Sequence, residues 1–185
     1  ERQGTAFEAR TIFQLEDNFR ASEPLVVYQR DALYAGRFYS KQPGIRIATR
    51  PALDPDTGDL IDFLLHPDRP VVLVRYAAPV SFTARNPLEA DLAARIAARL
   101  LDVLAHPKTG AVGDAVWFAA DGFAILAPHR AQNSAIRGLL AERGFGQDGR
   151  PMPLVDTVDK LQGQERDVVV VSYGVADEEY AEAEA

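Results

Sequence analysis

The chain has 185 residues, a length that suits one domain, or one domain with an extension. A composition of 47% hydrophobic and 25% charged residues is typical of a globular protein with a sizeable core and excludes disorder of the whole chain. The 20 basic and 27 acidic side chains give a net charge of −7, which excludes the strongly basic surface of a free-standing nucleic-acid binder.

The N-terminal part is predicted to contain one helix, a long loop and one strand. Residues 23–36 form the helix, because Pro24 is tolerated in a first turn and a glycine follows as a stop signal. Residues 41–70 are rich in proline and turn residues, which predicts an irregular surface loop with at most a short helix near 60–65. The continuous apolar run 71–74 predicts a strand buried on both faces.

The clearest predicted helix spans residues 86–104. Asn86 can serve as its N-cap, Pro87 as its first residue and Glu89 as the acid of a capping box. Large apolar residues recur at four-residue spacing along it and predict its buried face: Leu88, Leu92, Ile96, Leu100 and Leu104.

Shorter apolar runs alternate with helical segments in the rest of the chain. Residues 123–126, 154–155 and 168–171 are predicted strands, and residues 131–142 form an amphipathic helix between the first two. Continuous apolar strands that alternate with amphipathic helices predict an α/β fold, with a parallel β-sheet flanked by helices on both faces.

The acidity of the chain is concentrated at its C-terminal end. Five acids lie in the last nine residues: Asp177, Glu178, Glu179, Glu182 and Glu184. Without them the net charge would be −2 rather than −7, so the body of the chain is nearly balanced. The chain also begins without Met, and both ends are therefore expected to be cut edges of a longer protein.

Several kinds of site are excluded by what the sequence lacks. There is no cysteine, hence no disulfide partner, no zinc–thiolate site and no thiol nucleophile. The three histidines are at least 23 residues apart in sequence, so no metal site is predicted. The sequence contains no run of 18 apolar residues, so no contact with a membrane is expected. Neither a G-x-x-x-x-G-K-[ST] phosphate loop nor a G-x-S-x-G elbow is present, so no self-contained active site is expected. The expected location is the cytoplasm, beside the nucleoid if the protein is bacterial.

Three polar segments are candidates for chemistry, because ligands gather at the carboxyl ends of parallel strands. Residues 127–132 follow a strand and open a helix, where backbone N–H groups favour an anion, although taken alone the segment is better explained as a helix start with solvated polar residues. Residues 156–167 are mostly polar and can bind phosphate, ribose or a partner, or form a solvated connection. Residues 15–20 place Phe19 beside Arg20, and the aromatic ring suits base stacking while the guanidinium suits phosphate binding. Alternatively, Phe19 is a core residue and Arg20 belongs to a surface ion pair.

Together these segments resemble superfamily 1 helicases. Residues 155–172, V-D-T-V-D-K-L-Q-G-Q-E-R-D-V-V-V-V-S, closely resemble motif V of the branch that includes the nonsense-mediated-decay helicase and the replication nuclease-helicases. Residues 125–132 resemble that branch's strand ending in P-[YF]-x-x-Q, and residues 15–20 resemble its L-x-x-N-[YF]-R element. The three elements occur in the family's order, and the resemblance covers residues 11–175.

The resemblance implies the second RecA-like domain of a helicase motor, a P-loop NTPase-type fold without its own P-loop, over residues 1–175. Residues 176–185 would then be an acidic segment leading to a missing motif VI. The implied partners are single-stranded DNA or RNA and the first RecA-like domain of the same protein, which would hold most of the ATP and Mg²⁺. The isolated chain is therefore expected to be inactive.

Site residues follow from the resemblance by position. At the nucleotide, Phe19 would stack near the adenine and Arg20 would reach the γ-phosphate as a catalytic, charge-stabilising donor. Glu165, with Gln164 beside it, would accept hydrogen bonds from the ribose hydroxyls.

The resemblance assigns a second set of residues to the nucleic acid. Thr157 would contact a backbone phosphate of a single strand, with Lys160 nearby. His129, Arg130 and Gln132 would line the same groove.

Two positions depart from the family pattern, and other functions stay open. The family usually has Tyr or Phe in place of His129, and Leu161 replaces a common Phe. The alternative to a motor domain is a non-catalytic RecA-like binding module with the acidic tail as its partner site. A small nucleotide hydrolase complete in itself has less support, because no nucleophile or metal cluster can be assembled from the sequence.

Overall fold

A computed structural model describes residues 15–54, 56, 58–77 and 80–176. The chain divides into two compact units, an N-terminal unit Glu1–Arg46 and a C-terminal unit Ile47–Ala185. The predicted acidic tail lies outside the described residues. No helix in the described part of the chain is long and apolar enough to cross a membrane.

The N-terminal unit contains a two-stranded sheet and one helix. Strand β1, Asp17–Asn18, pairs in parallel with β2, Tyr39–Ser40. Helix α1, Glu23–Leu33, connects them and has a proline in its first turn. The prediction of a helix from residue 23 is confirmed, but the helix ends three residues before Gly36, which takes a left-handed φ of +82° in the turn that follows.

The predicted loop 41–70 contains a short helix, as expected, but it is only partly a surface loop. Helix α2, Leu60–Leu64, begins after Asp59, whose side chain accepts a hydrogen bond from a backbone N–H of the first turn. Three apolar side chains of the loop are buried in the core of the C-terminal unit, namely Leu53, Ile61 and Leu65. Proline and turn content predicted the irregular backbone correctly but could not show that these side chains are anchored in the core.

The prediction of a buried strand at residues 71–74 is wrong. This segment has no regular secondary structure, and its apolar side chains are exposed, Leu73 to 76%. An apolar run becomes a strand only when a neighbouring strand supplies the backbone hydrogen bonds. No strand of the described chain pairs with this run.

The C-terminal unit is built on a three-stranded parallel sheet. Its strands are β3, Phe123–Leu126, β4, Leu154–Asp156, and β5, Val168–Val171, in the order β4-β3-β5. All four residues of the central strand β3 are buried, as predicted. On the edge strand β5, Val169 and Val171 are exposed, so helices covering both faces of the sheet are not confirmed there.

Helices connect these strands. Helix α3, Pro87–Val103, precedes the sheet and is followed by a single turn α4, Ala115–Trp117, which continues into a π-helical turn, Phe118–Gly122. Helix α5, Arg130–Glu142, connects β3 to β4, and the short helix α6, Val158–Leu161, lies between β4 and β5. A helix thus lies between successive strands of the parallel sheet, and the mixed α/β fold agrees with the predicted α/β class.

The buried face of α3 differs from the predicted leucine stripe. Leu88 is exposed, and the first two turns are buried through small residues, Ala90, Ala93 and Ala94. With 3.6 residues per turn, a strict four-residue spacing rotates progressively around the helix, so one stripe cannot face the core over its full length. Ile96 and Leu100 do lie in the core, as predicted.

One ion pair in the C-terminal unit leads to a stability prediction. Arg99 donates to both carboxylate oxygens of Asp62, through Nε at 2.6 Å and Nη2 at 2.8 Å. These bonds lower the pKa of Asp62 below its ordinary value. A lowered folded-state pKa stabilises the fold above the unfolded-state pKa, and this contribution disappears as the pH falls through the folded-state pKa.

We expect Asp62→Asn to lower the free energy of unfolding by about 0.5–1 kcal/mol at neutral pH, a modest value because the Arg99 side chain is 38% exposed. The loss should shrink as the pH falls below the ordinary pKa of an aspartate, because the unfolded wild type is then protonated and must release that proton to form the ion pair. Urea unfolding at pH 7 and pH 3 measures both values, with the exposed Glu142→Gln as control. An equal loss at both pH values would contradict the assignment to the charged pair.

Candidate nucleotide and nucleic-acid interface

The carboxyl ends of the three strands form one edge of the sheet. Leu126 of β3 is in register with Asp156 of β4 and Val171 of β5. Hydrogen bonds continue past the strands, from Ala127 N–H to the Asp156 carbonyl at 3.1 Å and from Ser172 N–H to the Leu126 carbonyl at 2.9 Å. We call residues 127–130, 157–160 and 172–174, which follow the three strands, the carboxyl edge.

The first segment of this edge begins helix α5. His129 is the half-buried N-cap residue, and its carbonyl accepts a hydrogen bond from Asn133 N–H at 3.1 Å. The Asn133 side chain donates to the Ala127 carbonyl at 3.2 Å and so closes the turn between strand and helix. Arg130 is exposed at the first helical position. A cationic side chain therefore stands beside a helix N-terminus, where the helix dipole favours negative charge.

Gln132, predicted to line the groove, is fully buried. Its Oε1 accepts from Asn86 N–H at 2.8 Å, and its Nε2 donates to the Asn86 carbonyl at 3.1 Å and to Ser172 Oγ at 2.9 Å. Both N–H donors of the amide are thereby used inside the protein. The expected direct contact of Gln132 with a nucleic acid is not supported by this placement, and its role is internal.

The second segment of the edge follows β4. Thr157 is the half-buried residue before α6, and its N–H donates to Asp156 Oδ1 at 2.8 Å, while its side chain makes no capping bond. Lys160 is exposed on α6. Since β4 is the neighbour of β3, the structure brings Thr157 to the same edge of the sheet as His129 and Arg130.

Gln164 and Glu165 lie in the exposed loop that connects α6 to β5. The Gln164 amide donates to the Lys160 carbonyl at 2.9 Å and accepts from Arg166 Nη2 at 2.8 Å, so the side chain is held along the loop. Gly163 has a φ of +81°, which permits the tight turn before Gln164. The loop and α6 line a shallow surface depression that is open to solvent.

Phe19 and Arg20 belong to the N-terminal unit. They follow β1 in a bend, and both are exposed, Phe19 to 62%. Asn18 Oδ1 accepts hydrogen bonds from the N–H groups of Arg20 and Ala21, both at 2.8 Å, and so fixes the bend. The structure therefore presents this aromatic and this guanidinium on the surface of their own unit, and the alternative of Phe19 as a core residue is wrong.

Sequence reasoning missed the polar network behind the carboxyl edge. Glu89, half-buried in the first turn of α3, accepts hydrogen bonds from Ser172 Oγ at 2.7 Å and from Gly174 N–H at 2.9 Å. It also accepts from Tyr76 Oη at 3.1 Å and Asn86 Nδ2 at 3.2 Å. Burial, followed by the nearby Glu89 charge, raises the pKa of Tyr76. The Asn-x-x-Glu spacing was the available signal, but it predicted only a helix cap.

Within the described residues, no group of three or more His, Asp or Glu side chains is placed to hold a metal ion. The pKa of Asp167, the residue directly before β5, is raised by its burial and by the charge of Asp121. This pair of acids lies at the amino end of the sheet, since Asp167 N–H bonds the Asp121 carbonyl just before Phe123 and Val168 pair. It is therefore separate from the carboxyl edge.

Comparison with known proteins adds a family. A family model described as an AAA domain matches residues 3–181, nearly the whole chain. This domain occurs in superfamily 1 helicase-like proteins. The mixed α/β architecture with small parallel sheets is consistent with a RecA-like domain of that type. No curated protein matches the chain.

Proposed function

The chain belongs to this AAA-domain family, which is associated with helicase-type ATPase activity, and from that premise we propose that it is the second RecA-like motor domain of an ATP-dependent superfamily 1 helicase or translocase. The observation that carries the proposal is the carboxyl edge, where donors from two separate segments, His129 with Arg130 and Thr157 with Lys160, follow adjacent parallel strands. Ligands of parallel α/β sheets bind at this edge.

The proposed ligand of the carboxyl edge is the backbone of single-stranded DNA or RNA. Phosphate oxygens are bound by Arg and Lys side chains, hydroxyl groups, backbone N–H groups and helix N-termini, and the edge supplies each of these kinds. Arg130 and Lys160 are exposed, and the Thr157 hydroxyl is not used as a cap. Because such contacts read the backbone, a few donors on one edge suffice in a domain of negative net charge.

In the N-terminal unit we assign Phe19 to the adenine and Arg20 to the γ-phosphate. The bend is fixed by bonds from the backbone N–H groups of Arg20 and Ala21 to Asn18 Oδ1, and both Phe19 and Arg20 are exposed there. Gln164 and Glu165 are assigned to the ribose, since Glu165 is exposed and a carboxylate accepts hydrogen bonds from hydroxyl groups. ATP and Mg²⁺ would be held mainly by a first RecA-like domain, in keeping with the absence of a phosphate-loop sequence here.

We expect Thr157→Ala to weaken binding of a single-stranded oligonucleotide by about fivefold, the value of one hydrogen bond of roughly 1 kcal/mol. Basal ATP hydrolysis of the complete motor should be unaffected, because the contact is with the strand. Fluorescence anisotropy of a labelled strand at fixed salt measures the affinity.

Thr157→Ser, which keeps the hydroxyl, and the exposed Thr83→Ala serve as matched controls and should bind as the wild type does. Equal affinity of Thr157→Ala and wild type would reject the Thr157 contact. If the wild-type chain binds no strand at low salt, the proposal itself fails, and the non-catalytic binding module becomes the better explanation.

A further inference from the structure

Glu89 has more hydrogen-bond donors around it than a helix-capping acid needs. In a capping box, the acid at this position accepts from the backbone N–H of the N-cap residue. Here the N-cap residue is Asn86, and its N–H bonds Gln132 instead. The Glu89 carboxylate instead accepts from side chains and from the backbone of the segment after β5, as shown by its bonds to Ser172 and Gly174.

Hydrogen bonds among Asn86, Glu89, Gln132 and Ser172 connect three parts of the C-terminal unit to one another. Gln132, in the first turn of α5, binds both the N–H and the carbonyl of Asn86 and also Ser172 Oγ. Ser172 donates in turn to Glu89, one turn into α3 from Asn86. The start of α3, the start of α5 and the end of β5 are thereby fixed to one another. Two of these parts, the start of α5 and the segment after β5, contribute residues to the carboxyl edge.

Close packing at Gly174 further restricts the segment after β5. Gly174 has a φ of +75°, and a Cβ there would lie 3.2 Å from Cγ of Gln132. The backbone of Gly174 therefore lies directly against the Gln132 side chain while its N–H bonds Glu89 Oε2. The segment after β5 can move only if both the Gln132 contact and the Glu89 bond are lost.

We propose that Glu89 is a positioning residue for single-strand binding, which holds the segment after β5 and the His129–Arg130 start of α5 in the arrangement that presents the carboxyl edge. The inference rests on the proposed function, because it assigns the strand to that edge. A carboxylate suits this role, since its two oxygens only accept hydrogen bonds. All four of its partners donate, namely Tyr76 Oη, Asn86 Nδ2, Ser172 Oγ and Gly174 N–H.

The test compares Glu89→Gln with Glu142→Gln, an exposed Glu at the end of α5 that serves as the matched control. Glutamine keeps the shape but turns an N–H₂ group towards donors. Strand affinity is measured by fluorescence anisotropy well below the unfolding temperature of each variant, so that a loss of stability alone does not lower it. We expect about tenfold weaker binding for Glu89→Gln and no change for Glu142→Gln.

A spectroscopic readout separates positioning from a general structural role. In ¹H–¹⁵N spectra without ligand, Glu89→Gln should shift the amides of Gly174, His129 and Arg130, whereas the amides of β1 and α1 in the N-terminal unit should stay unchanged. Ser172→Ala alone should weaken strand binding. Combined with Glu89→Gln, it should weaken binding little further, because both changes break the same hydrogen bond.

The outcomes separate this inference from the proposed function. If the wild type binds the strand and folded Glu89→Gln binds equally well, the positioning role is overturned and the proposed function stands. If Glu89→Gln does not fold, Ser172→Ala decides, and unchanged affinity of that variant overturns the role. If the wild-type chain binds no strand, the proposed function fails and the positioning role fails with it.

Discussion

Arg20→Ala is expected to reduce the ATP turnover of a motor containing both RecA-like domains by roughly 100- to 1,000-fold. Arg20 is exposed in a bend fixed by Asn18, and in the assigned role its guanidinium stabilises the negative charge that develops on the γ-phosphate. Such a contact is strongest in the transition state, and the KM for ATP should therefore change much less than kcat. Steady-state hydrolysis with a saturating single strand measures both constants.

Two further variants make this result specific. Arg20→Lys keeps the charge but loses the planar fork of donors, and should recover only part of the turnover. Arg46→Ala, at another exposed arginine of the N-terminal unit, should hydrolyse ATP as the wild type does. A normal kcat in the Arg20→Ala motor would reject the assigned catalytic role. If KM for ATP rose while kcat stayed constant, Arg20 would only help to bind ATP in the ground state.

Gln132→Leu is expected to lower the free energy of unfolding by about 3 kcal/mol. Leucine has a similar volume but leaves the buried N–H of Asn86 without its partner. It also removes one donor to the Asn86 carbonyl, which keeps its bond from Ala90 N–H, and one donor to Ser172 Oγ. Each buried polar group left without a hydrogen bond costs about 1–3 kcal/mol. Urea unfolding of the chain, followed by circular dichroism, measures the loss.

The control is Gln147→Leu, the same substitution at an exposed position, which should change the free energy of unfolding by less than about 0.5 kcal/mol. Equal losses in the two variants would show that the cost comes from the substitution type and not from the buried network. A loss in Gln132→Leu below about 1 kcal/mol would mean that Asn86 and Ser172 find other partners.

Local signals in the sequence located most of the elements. Helix α3 begins where Asn86 and Pro87 predict it, because capping bonds are made within one turn: Asn86 Oδ1 accepts from the N–H groups of Leu88 and Glu89. The strands β3 and β5 lie at the predicted apolar runs, 123–126 and 168–171. These features depend on residues close in sequence, and for that reason they can be read without the tertiary structure.

The candidate site could be predicted only in part. Residues that follow strands, such as His129 and Thr157, lie at the carboxyl edge as topology requires. The exposure of Phe19 could not be decided from the sequence, where a core position was an equal alternative. Whether an aromatic side chain is buried depends on which elements pack over it, and local composition does not contain that information.

The sequence by itself determined the α/β class, the positions of β3, β4 and β5 along the chain and the polar segments that follow β3 and β4, because each rests on local hydrogen bonding and on apolar runs. Only the tertiary structure decided that residues 71–74 lack a pairing strand, that Gln132 is internal and that Glu89 serves the end of β5. The partners of Gln132 lie 46 and 40 residues away, and Ser172 lies 83 residues from Glu89. Hydrogen bonds over such separations form only once the sheet has brought the strand ends and helix starts together.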